Sequence, residues 1–238
     1  MADVPPIALT IKPSNYGLPE SDLKDCARAY RAATSFVDAQ VGRLIEALDR
    51  LKLTDNTVVI FVSDHGYLLG EHGQWQKQLL FEESARVPMI FAGPGVTGRG
   101  GSPRTVEMLD IYPTLVDLCG LPKPKHRLEG KTLVPLLKDP QAKRNRPAYS
   151  QVTRKTGSGS DAKEIMGYSV RTERWRYNEW DGGKLGNELY DHASDPHEYQ
   201  NLAKDSGHTK VVDEMKQLLR QMHEPKQRAV NSRPVERR

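Results

Sequence analysis

The chain reads as α/β, with a smaller antiparallel unit toward its C-terminus. Three observations predict this. Residues 22–53 carry apolar side chains at steps of three and four, the spacing of one helical face. A short polar turn follows, and then Val58 to Val62 forms an unbroken β-branched and aromatic run, as in a parallel strand covered on both faces. Beyond residue 165 the apolar period falls from three or four to two, which signals short strands paired with their sequence neighbours.

Taken in order, the first twenty residues are irregular. Pro5, Pro6, Pro13, Gly17 and Pro19 suggest a connecting loop, and Met1 to Pro6 has neither the basic start nor the apolar core of a signal peptide. This reads as a start in mid-protein. In the helix that follows, Ala27, Tyr30, Ala33, Val37, Val41, Leu44, Leu48 and Leu51 make the apolar stripe. Ser21 is placed to cap it, with Asp22 and Asp25 near the positive helix end. Helix, polar turn and buried strand together are half of a βαβ unit.

Val87 to Ala92 predicts a second strand, ended by Gly93-Pro94-Gly95. The glycine-rich run from Gly93 to Gly101 lacks the Gly-Lys-Ser/Thr of a phosphate loop and reads as a turn. Asp110 can cap a helix that tolerates Pro113 in its first turn and directs Leu115, Val116, Leu118 and Cys119 inward. Residues 138–164 are polar apart from a short strand-like Ala148-Tyr149-Ser150. The runs 166–172, 175–180 and 188–191 then predict a meander, and Val211, Val212, Met215, Leu218, Leu219 and Met222 predict a covering helix over 209–223. Residues 224–238 are basic and lack periodicity, which predicts disorder. The expected division is 1–140 for the large α/β unit, 141–223 for the small one, and 224–238 for the tail.

Candidate chemistry begins where the first strand ends. In open α/β sheets ligands bind beyond the carboxyl ends of strands, where loops can aim side chains at one point. Asp64 offers a hard carboxylate oxygen and His65 an imidazole nitrogen, while Gly66 and Gly70 allow tight turns and Lys77 returns a positive charge. An aspartate closing a strand also serves as a turn residue or helix cap, so Asp-His-Gly taken alone leaves both readings open. His72 either touches a ligand or orients the loop. Trp75 is a pocket wall or a packing anchor. Glu71 can pair with Lys77 or Arg86, and Arg86 is placed for a structural ion pair or a substrate contact.

The longer string Ser63-Asp-His-Gly-Tyr-x-Leu-Gly-Glu-His-Gly-x-Trp-x-Lys77, followed by Arg86-Val-Pro-Met-Ile90, resembles the sulfatase family of the alkaline phosphatase superfamily, and within it the iduronate-2-sulfatase type. Further strings support the resemblance in the same order: Phe36 to Leu44, Leu109 to Pro122, Leu128 to Leu137, and Glu188-Leu-Tyr-Asp-x-x-x-Asp195-Pro-x-Glu198-x-x-Asn201. It covers residues 20 to about 203. The resemblance implies an alkaline-phosphatase-like α/β/α sandwich, truncated at its N-terminus, with a small C-terminal subdomain of antiparallel sheet plus helix. It implies sulfate-ester hydrolysis on a sulfated carbohydrate, with Asp64 and His65 as calcium ligands and Lys77 on the sulfate group; His72 is a further substrate contact by position.

The sequence departs from that family at the nucleophile. Sulfatases convert a cysteine in Cys-x-Pro/Ser/Ala-x-Arg to formylglycine, whereas the two cysteines here stand in Cys26-Ala-Arg-Ala-Tyr and Cys119-Gly-Leu-Pro-Lys. Both are expected as small buried residues on helix faces. The family's N-terminal Asp-Asp calcium ligands are absent as well. The expectation is a catalytically incomplete chain, with the N-terminal half of the domain as the partner that would complete it in trans.

A net charge of +4 and a pI near 9.0 suit an anionic glycan, although much of the excess lies between Lys226 and Arg238. No helix-turn-helix, zinc-knuckle or aromatic-basic motif points to nucleic acid, and no apolar run is long enough to span a membrane. Family members are usually exported, and two cysteines fix no compartment. Two other readings remain: a non-catalytic remnant that binds sulfated glycans, and a phosphate or phosphonate ester hydrolase of the same superfamily.

Overall fold

A computed structural model of the chain describes residues 3–157 and 159–223; the predicted basic tail lies outside the described residues. The first long element is α1, Glu20–Arg50, preceded by Pro19 rather than capped by Ser21. Proline fits there because its ring fixes φ near the helical value and the first turn does not need its missing N–H. The chain then turns through Thr54–Asn56 into β1, Val59–Val62. It leaves β1 for a long excursion and returns as β2, Met89–Ala92.

Here the structure corrects the sequence reading. β1 pairs with β2 antiparallel, Val59 opposite Ala92 and Val62 opposite Met89, and these two strands form a sheet of their own. β1 is not covered on both faces: Val59, Ile60 and Val62 are half-buried and Phe61 is exposed. The apolar stripe of α1 is likewise uncovered. None of its residues is buried, and Phe36 and Leu44 are 68% and 67% exposed. The cysteines are both exposed: Cys26 lies on the uncovered α1, and Cys119 caps the C-terminal end of α3 (Ile111–Leu118), beyond its buried Thr114 and Val116.

The packed interior lies in the C-terminal part. Strands β3 (Ala148–Thr156), β4 (Lys163–Arg171), β5 (Trp175–Trp180) and β6 (Asn187–Asp191) form an antiparallel meander in chain order. Its register places Gly167 opposite Trp180, and a side chain at Gly167 would run into the indole, 2.4 Å from the nearest ring carbon. Helix α5, Thr209–His223, lays Met215 and Leu219 over Val170, Tyr177 and Leu189. The other sheet face, through Trp180 and Tyr190, packs on Leu68, Leu79, Leu80 and Phe81 and on Val4 and Ala8. The proline-bearing start is therefore a packed strap, with Val4, Ala8 and Ile11 buried.

Between the two sheets, α3 is tied down by Asp110, whose fully buried carboxylate accepts from the Glu107 and Lys131 amides at 2.9 and 2.7 Å and pairs with Arg144 at 2.5 Å. Asp110 thus organises a junction rather than merely capping the helix. The glycine-rich run after β2 is held by the Leu137 carbonyl at the end of α4 (Val134–Lys138), which accepts from the Thr97 and Gly98 amides. No helix among the described residues is long and apolar enough to cross a membrane.

Candidate active site

The excursion from β1 to β2 carries the predicted site residues. Asp64 stands two residues beyond β1, with its side chain 82% exposed. Its Oδ1 accepts from the His65 amide at 3.1 Å, and its Oδ2 lies 3.5 Å from His65 Nε2. The Gly66 carbonyl, 2.8 Å from His65 Nδ1, accepts from that nitrogen. This fixes the tautomer and leaves a lone pair on Nε2. Lys77 Nζ stands 2.8 Å from Nε2 and donates to it. The structure thus brings Asp64, His65 and Lys77 together, thirteen residues of sequence apart at most.

Gly66 explains how the chain makes this turn. Its amide donates to the Ser84 carbonyl at 2.9 Å, and an added Cβ would sit 1.9 Å from the Glu83 carbonyl oxygen. The backbone at the site therefore presses on α2, Glu82–Ala85, at a distance that only glycine permits.

His72 lies elsewhere. It is 4% exposed and stacked on Phe81, ring centroids 3.8 Å apart and 7° from parallel. Burial holds its pKa below the ordinary value against the opposing pull of Glu198 and the His197 backbone. Trp75 is a packing anchor: its indole lies against Gly70 and donates to Asn15 Oδ1 at 2.9 Å. Glu71 accepts from the Leu69 amide at 2.5 Å, whereas Arg86 is exposed and reaches Glu82 at 3.8 Å.

Two supports were not visible in the sequence. Gln74 is buried and accepts from the Thr10 and Ile11 amides at 3.0 and 2.9 Å, binding the loop to the N-terminal strap. Arg176 on β5, also buried, joins Glu82 to Glu198, with Glu198 Oε1 at 2.5 Å. Burial alone would raise the Glu82 pKa, but Arg176 and Arg171 outweigh it and hold the carboxyl low. Glu82, His192 and Glu198 are close enough together for a metal ion, but the two guanidiniums already match their charge, so this group reads as an ion-pair network.

Asp64, His65 and Lys77 line a cleft of about 1330 Å³ that Arg171, Pro196 and His197 of the C-terminal part also line. Neither cysteine lines it. The donor chemistry suits a hard divalent cation: an exposed carboxylate oxygen and an imidazole nitrogen lie 3.5 Å apart. Two protein ligands are well short of the six to eight that calcium takes, so further ligands must come from outside this pair.

Comparison with known proteins identifies the family. Residues 15–121 match the family described as Sulfatase, and residues 70–225 match the one described as N-sulphoglucosamine sulphohydrolase, C-terminal. A sulfatase of Formosa agariphila is 34% identical over 223 residues, covering 91% of this chain and 41% of the relative. Human iduronate 2-sulfatase is 35% identical, over 80% of this chain and 46% of the relative. Among solved structures, a 2-O GAG sulfatase superposes with a TM-score of 0.74 at 31% identity, covering 86% of this chain and 44% of that one. A phosphonate monoester hydrolase of Agrobacterium radiobacter gives 0.69 at 30%, covering 87% and 43%. The chain spans less than half the length of these relatives. Its fold is that of the sulfatases and their alkaline-phosphatase-like kin, and with both family matches running through the cleft-lining residues, the chain belongs to the sulfatase family.

Proposed function

We propose that this chain supplies the C-terminal part of a sulfuric ester hydrolase of the iduronate-2-sulfatase type, acting on sulfated sugars such as glycosaminoglycans. The observation that carries the reading is the convergence of Asp64, His65 and Lys77 at one corner of the cleft. Residues 1–140 would belong to the catalytic α/β unit and 141–223 to the small subdomain that shares in lining the cleft.

In this reading Asp64 and His65 hold a calcium ion together with ligands from the part of the domain that this chain does not span. A bound divalent cation supplies Lewis-acid charge at the sulfate oxygens. Lys77 places an ammonium where charge develops on those oxygens. His65 Nδ1, held by the Gly66 carbonyl, keeps Nε2 aimed outward. His72, stacked on Phe81, serves by fixing the loop that carries Lys77.

The nucleophile must come from the complementary part, since Cys26 and Cys119 lie in the wrong motifs and outside the cleft. That part is also the natural cover for the bare faces of α1 and β1, where large apolar side chains meet solvent. The isolated chain is therefore expected to show no turnover; catalytic hydrolysis of an aryl sulfate by the purified 238-residue chain would contradict this. Comparing aryl sulfate with aryl phosphate and phosphonate on a protein completed with the missing part tests the reaction class. Preference for either phosphorus ester would favour the reading shared with the phosphonate monoester hydrolase.

A further inference from the structure

The contact between Lys77 and His65 does more than bring two candidate residues together. His65 Nδ1 is committed to the Gly66 carbonyl, so Nε2 has one lone pair and one direction in which to use it. Lys77 Nζ occupies that direction at 2.8 Å. A cation bound to the same nitrogen would sit about 2.0–2.4 Å away along the same line, so ammonium and metal ion cannot be there together. The Asp64 carboxylate beside them, 3.5 Å from Nε2, attracts either charge.

Lys77 is also free to leave. It is exposed, and its ammonium makes no other hydrogen bond among the described residues. Its neighbours in sequence are fixed, since Gln74 is buried in the N-terminal strap and Leu79 and Leu80 belong to the core. The backbone can therefore stay in place while the four-carbon side chain swings into the cleft.

We propose that Lys77 is a resident placeholder at the cation site, and that divalent-cation binding and release of the Lys77 ammonium into the cleft are a single exchange. This rests on Asp64 and His65 being cation ligands. The exchange has two consequences. Without the metal, the lone pair of His65 remains satisfied and the site is not a bare carboxylate beside an unpaired imidazole. With the metal in place, Lys77 is delivered to an anionic group of the substrate only when the cation that must share that group is present. Metal loading and substrate recognition are then coupled through one side chain.

The test is a titration with Mn2+ of a protein completed with the rest of the sulfatase domain, followed by paramagnetic broadening of the His65 ring signals, in wild type, Lys77→Met and Lys77→Arg. If Lys77 occupies the site most of the time, its removal raises the binding-competent fraction, and Lys77→Met should bind about three- to tenfold more tightly than wild type. Lys77→Arg, which keeps a cation and a donor, should stay close to wild type. A plain loss of charge repulsion would also tighten binding, so reductive methylation of Lys77 in the wild-type completed protein is followed alongside. Exchange predicts faster labelling when Mn2+ is added; repulsion alone predicts no acceleration. Equal His65 broadening in wild type and Lys77→Met, or unaccelerated labelling, overturns the exchange while leaving the cation site standing. No His65 broadening in any variant overturns the cation site and the exchange with it.

Discussion

Arg176 on β5 and Glu198 beyond β6 form an ion pair at 2.5 Å with both side chains buried, and the same guanidinium reaches Glu82 at the start of α2. Through Glu82 the small sheet grips the return limb of the site loop, and the Glu82 amide, which donates to Glu198 at 2.8 Å, closes the link. Replacing Arg176 with Leu leaves Glu198 without a guanidinium and Glu82 with Arg171 alone, in a poorly hydrated place. The expected loss is about 3–5 kcal/mol, read as a lower urea midpoint at unchanged slope; a change below about 1 kcal/mol would mean that the network is not holding the loop.

Glu188 makes stability depend on pH. Its carboxylate accepts from Trp180 Nε1 at 3.1 Å and from the Tyr190 hydroxyl at 2.9 Å, yet complete burial still pushes its pKa up to about 7. A carboxyl whose pKa is higher in the folded than in the unfolded chain stabilises the fold below the unfolded value and loses that contribution as pH rises through the folded one. Between about pH 4.5 and 7 the wild type should therefore lose stability relative to Glu188→Gln, by an amount on the order of 3 kcal/mol at the plateau. Parallel stability curves for the two proteins across that window would contradict this.

Gly66 is a steric keystone. The Cβ of Gly66→Ala would overlap the Glu83 carbonyl, so the loop or α2 must move. Overpacking of this kind costs about 1–3 kcal/mol, and the displaced turn carries His65. Lower thermal stability together with changed His65 ring shifts is expected; unchanged His65 signals would show that α2 yields instead.

The bare apolar face of α1 gives a context-dependent prediction. In the chain alone Leu44→Ala should change stability by no more than about 0.5 kcal/mol, because Leu44 is already in solvent. In a protein completed with the rest of the sulfatase domain, the same substitution should cost about 2–5 kcal/mol. Equal small effects in both would mean that this face is never covered.

What the sequence showed and what it hid follow from the range of the interactions. Helix α5 matches the predicted 209–223 and β5 the predicted 175–180, because their periodicities are local. β3 runs six residues past the predicted Tyr149-centred strand, since its length is set by pairing with β4. The apolar run at Val58–Val62 is real, but a strand's cover depends on neighbours that sequence pattern alone cannot supply, and in this chain β1 has one. Asp64, His65 and Lys77 were legible as a motif. Their supports were not: Gln74 finds Ile11 across sixty-three residues and Arg176 finds Glu82 across ninety-four, with no periodic trace of either.

The central claim, that Asp64, His65 and Lys77 form this chain's share of a sulfatase centre, is tested most directly by steady-state hydrolysis of an aryl sulfate in a completed protein. Wild type, Asp64→Asn and Lys77→Ala are to be compared there. The account predicts losses in kcat/KM of at least about 10²-fold for each substitution, with the fold intact by circular dichroism. Activity within about twofold of wild type in Asp64→Asn, a difference of under 0.5 kcal/mol in transition-state stabilisation, would contradict it.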